Sequence, residues 1–227
     1  MRDFTAIWQG LDWSVVTTAL LSVIPILICL TVHELAHGTA AYALGDDTAK
    51  RMGRLTLNPL RHIDPIGFIM LLVARFGWAK PVPVDMRNFK RPKLGMAITA
   101  LAGPVSNFLL AALVFLFQVP LGRLFQSGGA GAYVAESLVF LGYISVFLGV
   151  FNLIPIPPLD GSKILFSLLP NSAYYRLMYY ERYGMILLFA LIWFGLSGED
   201  APLRAVMNGA VTWIWNLTAG PSALLFS

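Results

Sequence analysis

Charge is scarce in this sequence. Only 12% of its 227 residues are Asp, Glu, Lys or Arg, about half the share of an ordinary soluble domain. That shortage excludes a disordered chain and a conventional soluble enzyme. A single cysteine, Cys29, excludes an internal disulfide framework and a cysteine-based zinc cluster. Histidine is equally sparse, with three in all. The net charge of +4 invites a nucleic-acid reading. Basic residues beside long apolar runs are instead what the cytoplasmic flank of a membrane protein carries, so no nucleic-acid partner is expected.

Apolar sequence is abundant, at 57%, and it comes in blocks. Arg2, Asp3 and Asp12 precede the first block, which is too long for a signal-peptide core, so no cleavable leader is expected. Val15–Val32 holds no charge, and apolar sequence continues to Leu44 around His33, Glu34 and His37. A span needs about 20 residues; this one is long enough to tilt, and Pro25 is predicted to kink it. Leu94–Val119 and Tyr133–Leu159 also qualify, the latter broken only by Glu136. Tyr183–Ser197 and Ala205–Phe226 read as a closing helical pair. The expectation is an all-α polytopic membrane protein with about four transmembrane helices.

Between the first two spans the pattern changes. Arg54–Asn58 and Lys80–Asp85 alternate polar and apolar residues, which predicts a small β-hairpin or sheet in the first cytoplasmic loop. Ile63–Ala74 is apolar but too short to span, so it reads as a re-entrant or interfacial helix. Ten basic residues fall in Ala49–Lys93, and Lys163, Arg176 and Arg182 lie beyond the third span. Placing both regions in the cytoplasm puts thirteen of sixteen basic residues inside and the N-terminus outside.

Ionisable groups inside a span are costly and mark function. His33-Glu34-Leu35-Ala36-His37 puts two imidazoles at i and i+4 on one helix face, where both can bind one metal ion. Zinc accepts such a pair and needs one more protein ligand if a coordination position is to stay open. Glu34, beside the pair, is placed to take a proton from a metal-activated water. The third ligand must come from elsewhere. Glu136 lies toward the far end of its span. Asp160 follows the helix-breaking run Asn152-Leu-Ile-Pro155-Ile-Pro157-Pro158-Leu, and broken backbone at membrane depth occurs where it is buried in protein or lines a wet cavity. Position alone leaves two readings of Asp160 open: a metal ligand, or a helix-end carboxylate in headgroup water.

Together these segments resemble the site-2 protease family of intramembrane zinc metalloproteases. The resemblance rests on HELAH at 33–37, NPLRHIDP at 58–65, GPVSN at 103–107 and NLIPIPPLDG at 152–161. It covers roughly Val32–Leu165 and corresponds to a compact form without PDZ or CBS modules. The resemblance implies one Zn2+ per chain held by His33, His37 and Asp160, with Glu34 as general base. It also implies that Asn152 orients substrate or stabilises the oxyanion. The site is expected within the membrane toward the cytoplasm, in a bacterial or archaeal cell membrane. The substrate is expected to be a single-span membrane protein cut in or near its transmembrane segment. Residues 1–227 then form one membrane-embedded domain, with a catalytic core at about 14–165 and a C-terminal helical pair at about 174–226.

His62 can contact substrate or hydrogen-bond within its loop, and the loop role is the commoner one. Cys29 shares a helix face with His33, but in a span it reads as a packing residue. Gly103 and Asn107 read as a close helix contact and a polar link across it. The competing function is a zinc or proton transporter using the histidines as a transit site. Such a protein usually shows further intramembrane polar residues or two related halves, and neither is visible.

Overall fold

The structure is a computed structural model, described for residues 13–74, 77–184, 186–188, 190 and 202–226. Its elements are α1 (Trp13–Ala43), α2 (Thr48–Arg51), α3 (Pro65–Ala74), α4 (Pro92–Leu116), α5 (Gln118–Gln126), α6 (Gly129–Asn152), α7 (Asp160–Ser167), α8 (Asn171–Tyr180) and α9 (Pro202–Phe226). Among the described residues three helices are long and apolar enough to cross a membrane: Leu21–Ala43 within α1, α4 and α6. The protein is therefore helical and integral to a membrane. α1 runs unbroken through Pro25, so His33 and His37 keep their one-turn spacing. Of the expected closing pair, Ala205–Phe226 falls within α9, while most of Tyr183–Ser197 lies outside the described residues.

The core sits where α1, α4, α6 and α9 meet. Cys29, Ala111, Phe115, Val146, Val211 and Ile214 are buried together. Small residues on α6 permit this approach. A Cβ on Gly142 would lie 2.3 Å from Phe115 Cε1. Without a hydrophobic drive between helices in lipid, such close contact is what holds them. Outward, Leu109 and Leu113 on α4 are exposed, as suits side chains facing acyl chains.

The loop after α1 is organised by buried polar groups. Asp46 is fully buried. Its carboxylate accepts from the Thr48 amide and hydroxyl, the Asn88 amide and the Asp85 backbone N–H. α3 starts where Asp64 accepts from the Ile66 and Gly67 amides, an N-cap. Its ten residues span about 15 Å, half the hydrocarbon core, as expected for the short apolar segment.

The expected β-hairpin is not found among the described residues. Only Ile63 and Ala79 form a bridge, and Arg54–Asn58 and Lys80–Asp85 do not pair as strands. Pro81 and Pro83 supply no N–H for a ladder. The Lys80 N–H donates to the His62 carbonyl, and side chains take several of the segment's other groups. Arg54 donates to the carbonyls of Lys80 and Pro81, and the Val82 N–H donates to Glu34. Residues 80–85 are thus an extended strap fastened to α1 by Glu34 and to the loop after α2 by Arg54.

Candidate metal centre

α1 and α7 converge on one buried point. The His33 and His37 Nε2 atoms lie 2.9 Å apart. Asp160 Oδ2 is 3.2 Å from the first and 3.1 Å from the second. All three side chains are buried. Asp160 reaches them because the prolines end α6 at Asn152 and the chain restarts as α7 with Asp160 as its first residue. Gly161 lets that restart lie against the broken backbone, since a Cβ there would be 2.2 Å from the Leu153 carbonyl.

These donors suit zinc. Tetrahedral ligands at about 2.0–2.2 Å from a zinc ion stand roughly 3.3 Å from one another, and the three separations here are 2.9, 3.1 and 3.2 Å. Asp160 Oδ2 is buried and makes no hydrogen bond of good geometry, although both imidazoles approach it. A buried carboxylate oxygen without a partner calls for an ion or a proton. The space above the rings exists because residue 103 has no side chain. A Cβ on Gly103 would lie 2.5 Å from His37 Cε1 and Nε2 and 2.6 Å from His33 Cε1. His37 Nδ1 donates to the Thr99 carbonyl at 2.7 Å, which leaves the Nε2 lone pair toward Asp160 and His33. A backbone acceptor on the second nitrogen is the usual support of a metal-binding histidine.

The other expected site residues are placed as follows. Glu34 is half-buried, and its Oε2 accepts from the Val82 N–H at 2.8 Å. The Asn152 amide nitrogen donates to the Leu148 carbonyl one turn back, so this donor is engaged within its own helix. His62 is 2% exposed and bonds through Nε2 to the Thr56 carbonyl, which matches the loop role. Cys29 Sγ lies 3.5 Å from Asn107 Oδ1. Sequence reasoning did not foresee that Asn107 touches His33, with Nδ2 3.1 Å from Nδ1. The only signal was the i,i+4 spacing of Gly103 and Asn107 on one helix face. It also passed over Lys163, whose Nζ lies 3.9 Å from both Asp160 Oδ1 and Glu181 Oε1.

Fold and donor set together describe a membrane-embedded protein in which His33, His37 and Asp160 meet at one point and could hold a metal ion. Comparison with known proteins makes the class specific. The model of peptidase family M50 matches residues 120–195. YwhC of Bacillus subtilis (strain 168) is 43% identical over 175 residues, covering 74% of this chain and 78% of that protein. Rip2 of Mycolicibacterium smegmatis is 31% identical, covering 73% and 64%. MJ0611 of Methanocaldococcus jannaschii is 32% identical over 59% and 62%. The names of all three place them, by inference, among the zinc metalloproteases. No solved structure matches the chain. The chain belongs to peptidase family M50, the site-2 proteases. It is a membrane zinc metalloprotease, and zinc is its cofactor.

Proposed function

We propose that this protein hydrolyses peptide bonds in or near the transmembrane segment of single-span membrane proteins. His33, His37 and Asp160 hold the zinc ion, Glu34 is the general base, and Asn152 orients the substrate. The observation that carries this reading is the meeting of Asp160 with the paired imidazoles at 3.1–3.2 Å. Zinc, when bound, lowers the pKa of a water molecule and polarises a carbonyl. The chain's own groups do the rest. Glu34 Oε2 is held by the Val82 N–H, so Oε1 is the oxygen that takes the proton and returns it to the departing amine nitrogen. Asn152 serves after its amide turns from Leu148 toward the substrate carbonyl.

A helical substrate hides its peptide groups in internal hydrogen bonds, so substrates carry helix-weakening Gly, Pro or Asn near the cut. The basic loops at 49–93 and 163–182 favour a site opening to the cytoplasm and an N-terminus outside. The whole chain acts as one domain, with α9 as its fourth span. Glu34→Gln is the test. It should abolish cleavage of a single-span reporter in proteoliposomes while one zinc per chain remains. Undiminished turnover would dismiss the mechanism, and zinc flux without cleavage would favour a transporter.

A further inference from the structure

We propose that Asn107 is a positioning residue for the metal centre, one whose amide turns to accept from His33 Nδ1–H when His33 ligates through Nε2. The proposal rests on the reading of His33, His37 and Asp160 as the zinc ligands. Its starting point is one atom whose role is fixed: the Thr99 carbonyl oxygen can only accept. His37 therefore carries its proton on Nδ1, 2.7 Å from that oxygen, and its Nε2 is a lone pair. The remaining contacts then form a directed chain that ends at Cys29, whose thiol also lies against the Ser145 hydroxyl. The Cys29 thiol donates to Asn107 Oδ1. Asn107 Nδ2 donates to His33 Nδ1. His33 Nε2–H donates to the His37 Nε2 lone pair at 2.9 Å. Cys29 and Asn107 are 0% exposed and His33 is 5% exposed, so bulk water takes no part.

Zinc needs the Nε2 lone pairs of both histidines. Ligation by His33 through Nε2 moves its proton to Nδ1, and a buried N–H there requires an acceptor. Asn107 is the polar side chain at that nitrogen. Its amide ends are nearly equal in size, so a half turn exchanges them within the same cavity. Oδ1 then accepts from His33 Nδ1–H, and Nδ2 turns toward Cys29. A thiol is suited to this place because sulfur both donates and accepts weakly. The Cys29–Asn107–His33 chain can thus run in either direction, and zinc binding selects the direction in which Asn107 accepts. His37 needs no such device, because Thr99 already fixes its tautomer.

The test measures zinc affinity of the full-length protein in detergent by competition with a chromogenic chelator, together with the visible spectrum of the cobalt-substituted protein. Asn107→Leu removes the acceptor at similar volume and should weaken zinc binding by about 10–100-fold. Asn107→Asp presents only acceptors and should retain wild-type affinity and an unaltered cobalt spectrum. A merely packing role predicts the reverse order, since a fully buried site tolerates Leu better than Asp. Should Asn107→Leu fail to fold, the far end of the chain supplies the test: Cys29→Ala should weaken zinc binding and Cys29→Ser should restore it. Wild-type affinity in Asn107→Leu, an Asp variant as impaired as Leu, or Cys29 variants without that contrast would overturn the proposal. A His33→Ala control separates the two levels. If it loses zinc while Asn107→Leu does not, the positioning role alone fails; if it keeps zinc, the ligand assignment fails and the proposal with it.

Discussion

Replacing Gly103 by alanine adds one methyl group directly against both imidazoles of the candidate metal centre. The new Cβ would stand 2.5 Å from His37 Cε1 and Nε2 and 2.6 Å from His33 Cε1. Carbon atoms rest at about 3.5–4.0 Å, so roughly 1 Å must be found. Neither ring can yield cheaply. His37 is tied to the Thr99 carbonyl on the same helix that carries residue 103, and His33 is tied to Asn107, one turn further along it. Either α4 withdraws from α1 or the imidazoles rotate away from Asp160. Overpacking of this kind costs about 1–3 kcal/mol of stability. A displacement of about 1 Å at a reacting centre costs roughly 100-fold in rate. Gly103→Ala should therefore lower zinc affinity and reduce turnover of a reporter substrate by about two orders of magnitude. Chelator competition and a cleavage assay on the purified protein measure both. Gly122→Ala is the control, because nothing lies within 4 Å of its Cβ position on α5; it should change neither. Wild-type zinc affinity and turnover in Gly103→Ala would refute the reasoning that the absent side chain makes room for the site.

Two further predictions concern the loop that carries the strap. Arg54 is buried and donates to the Lys80 and Pro81 carbonyls; hydrogen bonds from a charged group contribute about 1.5–3 kcal/mol each. Arg54→Met should loosen residues 80–85 beside Glu34 and lower kcat/KM while zinc content stays at one per chain, read by metal analysis and cleavage kinetics. Asp46 tests the pH response. Burial raises its pKa, but the bonds donated by Thr48, Asn88 and the Asp85 amide outweigh burial and hold it below the ordinary carboxylate value. A depressed folded pKa contributes stability that is present above the unfolded value, about 3.9, and is lost as pH falls through the folded value. Asp46→Ala should therefore melt well below the wild type at pH 7, and the gap should shrink below pH 4 in thermal scans. A gap independent of pH would refute this account.

How much was legible in the sequence depended on how locally each feature is specified. The pair His33 and His37, with Glu34 beside them, follows from helix geometry alone, because i and i+4 share a face in any helix. The short α3 was legible from the length of the apolar run at Ile63–Ala74, whereas its start at Asp64-Pro65 was not. The strap was not. Alternation at 54–58 and 80–85 suggested a hairpin, but pairing requires free backbone donors and acceptors. Pro81, Pro83, Arg54 and Glu34 remove or occupy them. Asn152 was marked only by the family resemblance, and the direction of its amide depends on whether Leu148 or a substrate holds it.

By itself the sequence determined three of the expected membrane-spanning helices, the imidazole pair and the break that frees Asp160, since each depends on residues a few positions apart. Only the tertiary structure decided that Asp160 meets the histidines rather than lying in headgroup water, that Gly103 makes room above the rings, and that Thr99 and Asn107 hold their outer nitrogens. Those facts depend on which faces of α1, α4 and α7 come together. In a lipid-facing helix that choice is made by shape and close packing, which apolar periodicity does not encode.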